Sequence, residues 1–238
     1  MEYLKKSDQY DKEFVNENMM GPNSMIILEE LLDKVPLKQN MRVLDLGCGN
    51  ALTSIFLAKE YGVKVFAVDL WISASDNLKR IEQMSLEHLI IPIHADANEL
   101  PFADAYFDAV ISVDAYHYFG NNDAYFQEKL RPLLKKEALV ALAFPGMKYE
   151  VHEAIPKEMK PFWPEDALST WHSMDWWRQK FQNNLKEFEI NEMKCFKTAW
   201  DHWLSTDNPY AIEDKEMIAA DGGRFMNLIS ITGKLKDF

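Results

Sequence analysis

A short apolar run that leads into two glycines constrains the fold of this chain more than any other stretch. Residues 43–46 (Val-Leu-Asp-Leu) are typical of a buried strand, and Gly47 and Gly49 then indicate a tight turn. The apolar spacing that starts at Leu52 is that of a helix face. A turn between a strand and a helix places its backbone amides at the helix N-terminus, so we expect it to hold a negatively polarised ligand group.

Two aspartates narrow the choice of ligand. Dinucleotide-binding proteins have a third glycine where this chain has Leu52. Asp45 lies near the end of the predicted strand, where its charge disfavours a pyrophosphate and suits an ammonium group. Asp69 ends the next apolar run, at the position where an acid accepts hydrogen bonds from ribose hydroxyls. Together these features predict a nucleoside that carries an amino acid.

From about residue 37 to residue 144 the chain resembles the class I S-adenosylmethionine (SAM)-dependent methyltransferases. The resemblance is carried by residues 43–49 (VLDLGCG), Val68-Asp69, residues 94–97 (HADA) with Leu100-Pro101-Phe102, and residues 107–110 (FDAV). Ala51 replaces a usual third glycine, and Lys136-Glu137 replaces a turn that often carries glycines. The resemblance implies SAM as cofactor and S-adenosylhomocysteine as product, and it implies that Asp96 and Ala97 meet the adenine. The predicted cofactor contacts are Asp45, Gly47, Cys48, Gly49, Asp69, Leu70, Asp96, Ala97 and Asp114.

The predicted fold is α/β, a Rossmann-like, doubly wound and mostly parallel seven-stranded sheet with helices on both faces. Residues 1–36 are predicted as an N-terminal helical segment, with Ser24 as a helix N-cap, and residues 37–144 as the SAM-binding core. Residues 145–238 complete the same domain and include an aromatic-rich substrate insertion at about 145–183 and 198–220. The first twenty residues either pack on the sheet or form a lid, with Tyr3 or Tyr10 closing over the cofactor.

Open α/β sheets bind ligands beyond the carboxyl ends of their strands, so the residues after the fourth predicted strand, 107–113, are candidates for the acceptor site. Tyr116 and His117 are predicted to contact the substrate. His117 is the candidate general base, because imidazole titrates near neutrality, and the alternative is that it only hydrogen-bonds a loop carbonyl. A second predicted substrate-binding group follows the probable sixth strand and comprises Trp200, His202 and Trp203.

Composition excludes several classes of partner. The formal net charge is −12 and no cluster of Lys and Arg exceeds a pair, so we expect no nucleic-acid partner. No stretch reaches the roughly 18 apolar residues of a membrane span. The two cysteines, Cys48 and Cys195, do not suggest a disulfide framework, which favours the cytoplasm, and no Cys/His spacing indicates a metal. The sequence leaves the oligomeric state open.

The function predicted from these observations is in-line transfer of the SAM methyl group to a small molecule, with a nitrogen, oxygen, sulfur or carbon nucleophile. Such a reaction depends mainly on holding donor and acceptor in line. Two alternatives stay open: a SAM-binding protein without methyltransferase activity and, less favoured because of Leu52 and Asp45, a nicotinamide-dependent oxidoreductase.

Overall fold

The computed structural model describes residues 5–236, which form one seven-stranded sheet of order β3-β2-β1-β4-β5-β7-β6. Strands β1 to β5 run parallel, and β7 is antiparallel to both β5 and β6. This is the predicted α/β, mostly parallel Rossmann-like sheet. The strands are β1 (Arg42–Leu46), β2 (Lys64–Asp69), β3 (Ile90–His94), β4 (Phe107–Val113), β5 (Leu134–Met147), β6 (Leu185–Glu192) and β7 (Met226–Leu235).

Helices cover both faces of the sheet. Consecutive residues of a strand point to opposite faces, so Val43 packs into one hydrophobic core and Leu44 into the other. Burial on both faces explains why these strands are apolar runs rather than alternating patterns. The α-helices are α1 (Lys12–Asn18), α2 (Ser24–Leu31), α3 (Leu52–Tyr61), α4 (Ala74–Gln83), α5 (His117–Gly120), α6 (Glu165–Leu168), α7 (Met174–Phe181), α8 (Phe196–Leu204) and α9 (Pro209–Asp221).

One local prediction differs from the structure: Asn23, rather than Ser24, caps α2, because its side-chain oxygen accepts from the Met25 and Ile26 amides. Between α5 and β5 the chain forms a short π turn, Phe126–Leu130, followed by a 3₁₀ turn. The run Trp200 to Trp203 follows the sixth strand as predicted and lies on α8, so its side chains follow a helical period. Among residues 5–236 the structure has no helix long and apolar enough to cross a membrane.

Candidate functional site

The glycine turn between β1 and α3 is held tightly against its neighbours. Gly47 and Gly49 have φ of 76° and 51°, a region that L side chains rarely adopt. A Cβ on Gly47 would come within 2.3 Å of the Ala115 Cβ, so only glycine fits there. The turn therefore lets the ends of β1 and β4 approach each other, and it leaves a side-chain-free surface at the carboxyl edge of the sheet.

The backbone amides of this turn donate hydrogen bonds to other groups of the protein. The Gly47 and Cys48 amides both donate to the Val68 carbonyl, at 2.9 and 3.0 Å, and the Gly49 amide donates to Asp69 Oδ2 at 2.8 Å. The prediction that these amides point toward a ligand is therefore wrong for these three residues. They instead tie the first turn to the end of β2.

Asp69 organises the edge of the sheet around its carboxylate. Its Oδ2 accepts from Gly49, and its Oδ1 accepts from the amides of Trp71 and Ile72 at 2.8 and 2.9 Å. The side chain is 7% exposed and lies on the wall of a cleft. A carboxylate offers about four lone-pair sites, so three amide bonds leave room for one more donor.

Asp45 is placed differently from its prediction. It is fully buried beneath the turn, where its Oδ2 accepts from Thr53 Oγ1 and Ser54 Oγ, both at 2.6 Å. Burial raises its pKa to about 6, against the opposing effect of the two hydroxyl donors. Thr53 lines the cleft and Asp45 does not, so Asp45 lies behind the cleft wall rather than on it, and its position does not support the predicted direct contact with an ammonium group.

A cleft of about 310 Å³ opens where the carboxyl ends of β1, β2 and β4 meet, the size of a small-molecule site. Its charged lining residues are three aspartates, Asp69, Asp96 and Asp114, and among the described residues no Lys, Arg or His lines it. The predicted cofactor residues on its wall are Gly47, Cys48, Gly49, Asp69, Leu70, Asp96, Ala97 and Asp114.

One end of the cleft combines an exposed apolar side chain with a polar loop. Leu70 is 51% exposed. Asp96 Oδ1 accepts from both the amide and the side chain of Asn98, at 2.8 and 2.9 Å. The Tyr125 hydroxyl donates to the Ala97 carbonyl at 3.1 Å and so holds the loop from beneath. This loop presents a flat surface rimmed by hydrogen-bonding groups.

Asp114, the first residue after β4, is the most strongly perturbed acid on the cleft wall. Its backbone lies in the left-handed region, with φ of 57°, which aspartate tolerates better than most residues. Burial, together with the charge of nearby Asp214 on α9, raises its pKa to about 7. A carboxylate that titrates near neutrality, in a cleft, has the properties of a general base.

Two exposed aromatic side chains meet on the cleft wall. Trp71 is 67% exposed and Tyr118 is 52% exposed, and their rings meet edge to face at 5.5 Å. Tyr118 lies in the stretch after the fourth strand that was predicted to border the acceptor site, whereas Trp71 was not among the predicted site residues. Trp71 follows the end of β2, and that position is the sequence signal that would have indicated it.

The predicted roles of Tyr116 and His117 are not those that the structure gives them. Tyr116 is fully buried, where it packs against Phe144, and His117 is 1% exposed. Burial lowers the pKa of His117 to about 3, which makes it a weak base at neutral pH. Neither lines the cleft, because helix α5 starts at His117 and directs both side chains into the sheet, while Tyr118 and Phe119 face outward.

The tryptophan-rich run on α8, residues 200–203, also does not line the cleft. Trp200 and Trp203 are buried, and the Trp203 indole donates to Asp214 Oδ2 at 2.7 Å. His202 lies 3.3 Å from the side-chain amide of Asn23, the residue between two lining residues of the cleft. Trp200, His202 and Trp203 do not line the cleft, so their positions do not support the predicted direct contact with a substrate. Asp201 is exposed and pairs with Lys197.

The N-terminal segment contributes one wall of the cleft through Asn18, Met20, Gly21, Pro22 and Ser24. The Asn50 side chain donates to the Asn18 carbonyl at 3.2 Å, which seats this segment on the glycine turn. Tyr10 is not part of that wall, because it stacks on Phe56 and its hydroxyl donates to Glu60 at 3.1 Å. Tyr3 lies outside the described residues.

Residues 43–137 match a family described as a methyltransferase domain. This part of the chain is therefore similar to a methyltransferase domain, which agrees with the family predicted from the glycine turn.

Several characterised proteins are similar to this methyltransferase domain. The glycine/sarcosine/dimethylglycine N-methyltransferase of Actinopolyspora halophila is 29% identical over 48% of this chain and 20% of its own length. The cyclopropane-fatty-acyl-phospholipid synthase of Escherichia coli strain K12 is 28% identical over 74% of this chain and 44% of its own length. The chain thus spans less than half the length of either relative.

The fold has close structural counterparts. Phosphoethanolamine N-methyltransferase 2 of Haemonchus contortus, solved in complex with SAM, superposes with a TM-score of 0.74. That superposition covers 96% of this chain and 58% of the other, at 19% sequence identity. The architecture of the methyltransferase domain therefore extends through nearly the whole chain.

Proposed function

We propose that this chain transfers the methyl group of SAM to a small, cationic amine bound in the cleft. The observation that carries the proposal is the acidic cleft itself: three aspartates line it, and among the described residues no cationic side chain does. A sulfonium and a protonated amine both gain from that field, whereas a nucleic acid would be repelled by it and by the net charge of −12.

The cofactor has a natural position along the ends of β1 and β2. The free acceptor site of Asp69 suits a ribose hydroxyl, and the exposed Leu70 offers a flat contact for adenine, with Asp96 and Ala97 at its rim. The side-chain-free surface of Gly47 and Gly49 leaves space for the methionine part of SAM. Asp114, at the end of β4, borders the same cleft.

The acceptor position combines Asp114 with the exposed rings of Trp71 and Tyr118. Aromatic faces attract cations by about 0.5–2 kcal/mol, and a carboxylate adds a charged partner. The similar proteins named N-methyltransferases support the choice of nitrogen as acceptor atom.

In this proposal Asp114, rather than His117, is the general base. With a pKa of about 7, its carboxylate accepts the proton of the bound ammonium, and the freed nitrogen lone pair attacks the methyl carbon. The sulfonium carbon–sulfur bond breaks as the new carbon–nitrogen bond forms, and its electron pair stays on sulfur. The products are the methylated amine, protonated Asp114 and S-adenosylhomocysteine.

Two further expectations belong to this proposal. Residues 5–20, the described part of the first twenty, act as a lid, since Asn18 and Met20 already lie on the cleft wall and methyl transfer benefits from the exclusion of water. The protein works in the cytoplasm, which is supported by two buried, free thiols, Cys48 and Cys195.

The test is a product assay with wild type and Asp114→Asn. Each enzyme is incubated with SAM and with a panel of primary to tertiary amines, matched neutral alcohols and carboxylic acids, and formation of S-adenosylhomocysteine is measured. We expect turnover with at least one amine and a fall of about 100-fold or more in Asp114→Asn. Binding of SAM with turnover only on neutral or anionic acceptors overturns the amine assignment, and failure to bind SAM overturns the function as a whole.

The alternatives have their own signatures in the same experiment. A SAM-binding protein without transferase activity would bind SAM calorimetrically and release no S-adenosylhomocysteine with any acceptor. A nicotinamide-dependent oxidoreductase would bind NAD and not SAM. A tRNA or DNA acceptor would appear as nucleic-acid methylation with labelled SAM.

A further inference from the structure

Three metal-binding side chains converge outside the cleft, where the chain leaves the carboxyl end of β5. Glu150 Oε2 lies 2.8 Å from His152 Nδ1 and 3.2 Å from His172 Nδ1. All three donor atoms lie within 4.8 Å of one another. None of these residues lines the cleft. The sequence gives no hint of the group, because His172 is distant along the chain and comes into place only through folding.

Each of the three side chains is held by a second contact. Glu150 Oε1 accepts from the Ser173 amide at 2.7 Å, which leaves Oε2 for the histidines. His152 Nε2 is 2.9 Å from the Leu168 carbonyl. Histidines that bind metals usually donate their second ring nitrogen to a carbonyl or carboxylate, as His152 does here. The His172 ring is held by stacking on Trp176, with centroids 3.7 Å apart and planes 5° apart.

The hydrogen bond to Leu168 orients the His152 ring. A carbonyl can only accept, so His152 Nε2 donates to it and Nδ1 is the ring nitrogen that faces Glu150. His172 also turns its Nδ1 toward Glu150 Oε2. Both imidazoles therefore direct the same ring nitrogen at one carboxylate oxygen, and the three donor atoms lie close enough to share one ion.

We propose that Glu150, His152 and His172 form a binding site for a divalent transition-metal ion, with Zn²⁺ as the best match. Two imidazoles and one carboxylate are the ligand types of zinc sites, whereas Mg²⁺ and Ca²⁺ prefer oxygen ligands alone. Zinc would hold each donor at about 2.0–2.2 Å, so binding draws the imidazoles slightly inward.

The site is open to an entering ion and leaves a place for water. The side chains of Glu150, His152 and His172 are 40%, 30% and 14% exposed. Three protein ligands are one fewer than a closed structural zinc site has, so the fourth position belongs to water or an external ligand. The ion would join the two ends of the 150–172 segment, which connects β5 to α7 beside the sheet. This inference does not depend on the proposed function.

The test measures zinc binding by the full, untagged chain after removal of metal with a chelator. Calorimetric titration with Zn²⁺ should show one site per chain, and Co²⁺ should give the visible absorption of a bound ion. Glu150→Gln keeps an acceptor for the Ser173 amide, and His152→Ala removes a partly exposed side chain, so both spare the fold. Each should weaken zinc binding by more than about 10- to 100-fold, the loss typical of an outer-sphere partner.

His88→Ala is the matched control, because His88 is exposed and lies elsewhere on the surface. It should bind zinc as wild type does. Zinc should also raise the melting temperature of wild type and of His88→Ala but not that of His152→Ala, since ligand binding stabilises only a chain that holds the ion. No zinc binding by wild type, or equal binding by wild type, Glu150→Gln and His152→Ala, overturns the site. Far-ultraviolet circular dichroism and the melting temperature of each variant, measured with the chelator present, report separately whether the fold is intact.

Discussion

Gly21 lies against Asp114 so closely that a Cβ on Gly21 would come within 2.8 Å of Asp114 Oδ2. This contact joins the N-terminal segment to the end of β4 across the acceptor side of the cleft. Gly21 has an ordinary backbone conformation, since it is absent from the glycines with positive φ. The reason for glycine here is therefore space rather than conformational freedom.

Gly21→Ala should impair the acceptor side of the site. The added methyl group forces either the Asp114 carboxylate or the N-terminal segment to move by several tenths of an ångström, because a 2.8 Å separation is far inside van der Waals contact. We expect a rise in the acceptor's KM and a fall in kcat of about tenfold, in line with the sensitivity of transfer reactions to misplacement. Steady-state kinetics with an amine acceptor provide the measurement.

A double-mutant cycle with Asp114→Ala identifies the cause. If the methyl group collides with the carboxylate, Gly21→Ala should have little further effect once the carboxylate is gone, which makes the two changes non-additive. Strictly additive effects would show that Gly21→Ala acts elsewhere, for example on the path of the N-terminal segment.

Activity should depend on the ionisation of Asp114. Its pKa is raised to about 7 by burial and by Asp214, and the carboxylate is the form that holds a cation and accepts a proton. For an acceptor amine that is protonated in solution over the whole pH range of the assay, kcat/KM should rise tenfold per pH unit below about pH 7 and level off above it. Asp114→Asn should abolish this titration. Asp104→Asn, an exposed control outside the cleft, should retain it.

The raised pKa of Asp114 also predicts the direction in which stability changes with pH. A folded-state pKa raised from 3.8 means that the folded protein favours the protonated acid, so this contribution to stability is present below about pH 4 and is lost as pH rises through about 7. Asp114→Asn has no such loss. The melting temperature of wild type relative to Asp114→Asn should therefore fall between pH 5 and pH 8; a constant difference would contradict the assigned pKa.

Asp69→Ala should weaken SAM binding. The variant loses a charge-assisted bond to the ribose, worth about 1.5–3 kcal/mol, and also the acceptors of the Gly49, Trp71 and Ile72 amides. We expect a loss of affinity of at least about tenfold by calorimetry, together with a lower melting temperature. Asp104→Ala controls for the loss of a carboxylate. Wild-type affinity for SAM in Asp69→Ala would show that the cofactor lies elsewhere.

Substitutions of Trp203 and of His202 should have very different effects on the stability of the fold. Trp203 is 1% exposed and donates to Asp214, so Trp203→Ala should lower the free energy of unfolding by about 3–5 kcal/mol. His202 is exposed, and its side chain contacts the capping residue Asn23 at 3.3 Å, so His202→Ala, which keeps the backbone bonds, should leave the melting temperature nearly unchanged. Thermal denaturation of both variants is the measurement, and equal melting temperatures would place Trp203 outside the core.

Much of the fold was predictable because its signals are local. The predicted strand 107–113 has the observed bounds, and Ser173 caps α7 as its sequence position suggested. Strands buried on both faces give continuous apolar runs, which are visible without any knowledge of neighbours. The cleft lining followed from the same logic, because the residues after the ends of parallel strands share one edge.

The errors arose where the direction of a side chain decides its role. Sequence position puts His117 beyond β4, but only the start of α5 turns its ring into the core and Tyr118 outward. The contact of Gly21 with Asp114 and the meeting of Glu150 with His172 both depend on how distant segments pack. Local patterns contain no information on such distances.

The exposure of Trp71 makes it an optical reporter. It is 67% exposed at the mouth of the cleft, whereas Trp171 and Trp176 are half-buried and Trp163, Trp177, Trp200 and Trp203 are at most 6% exposed. Water shifts indole fluorescence to longer wavelength, so Trp71 contributes most to the red edge of the emission. A ligand that covers Trp71 should therefore shift the emission to shorter wavelength, and occupancy of the cleft can be followed in real time without a label.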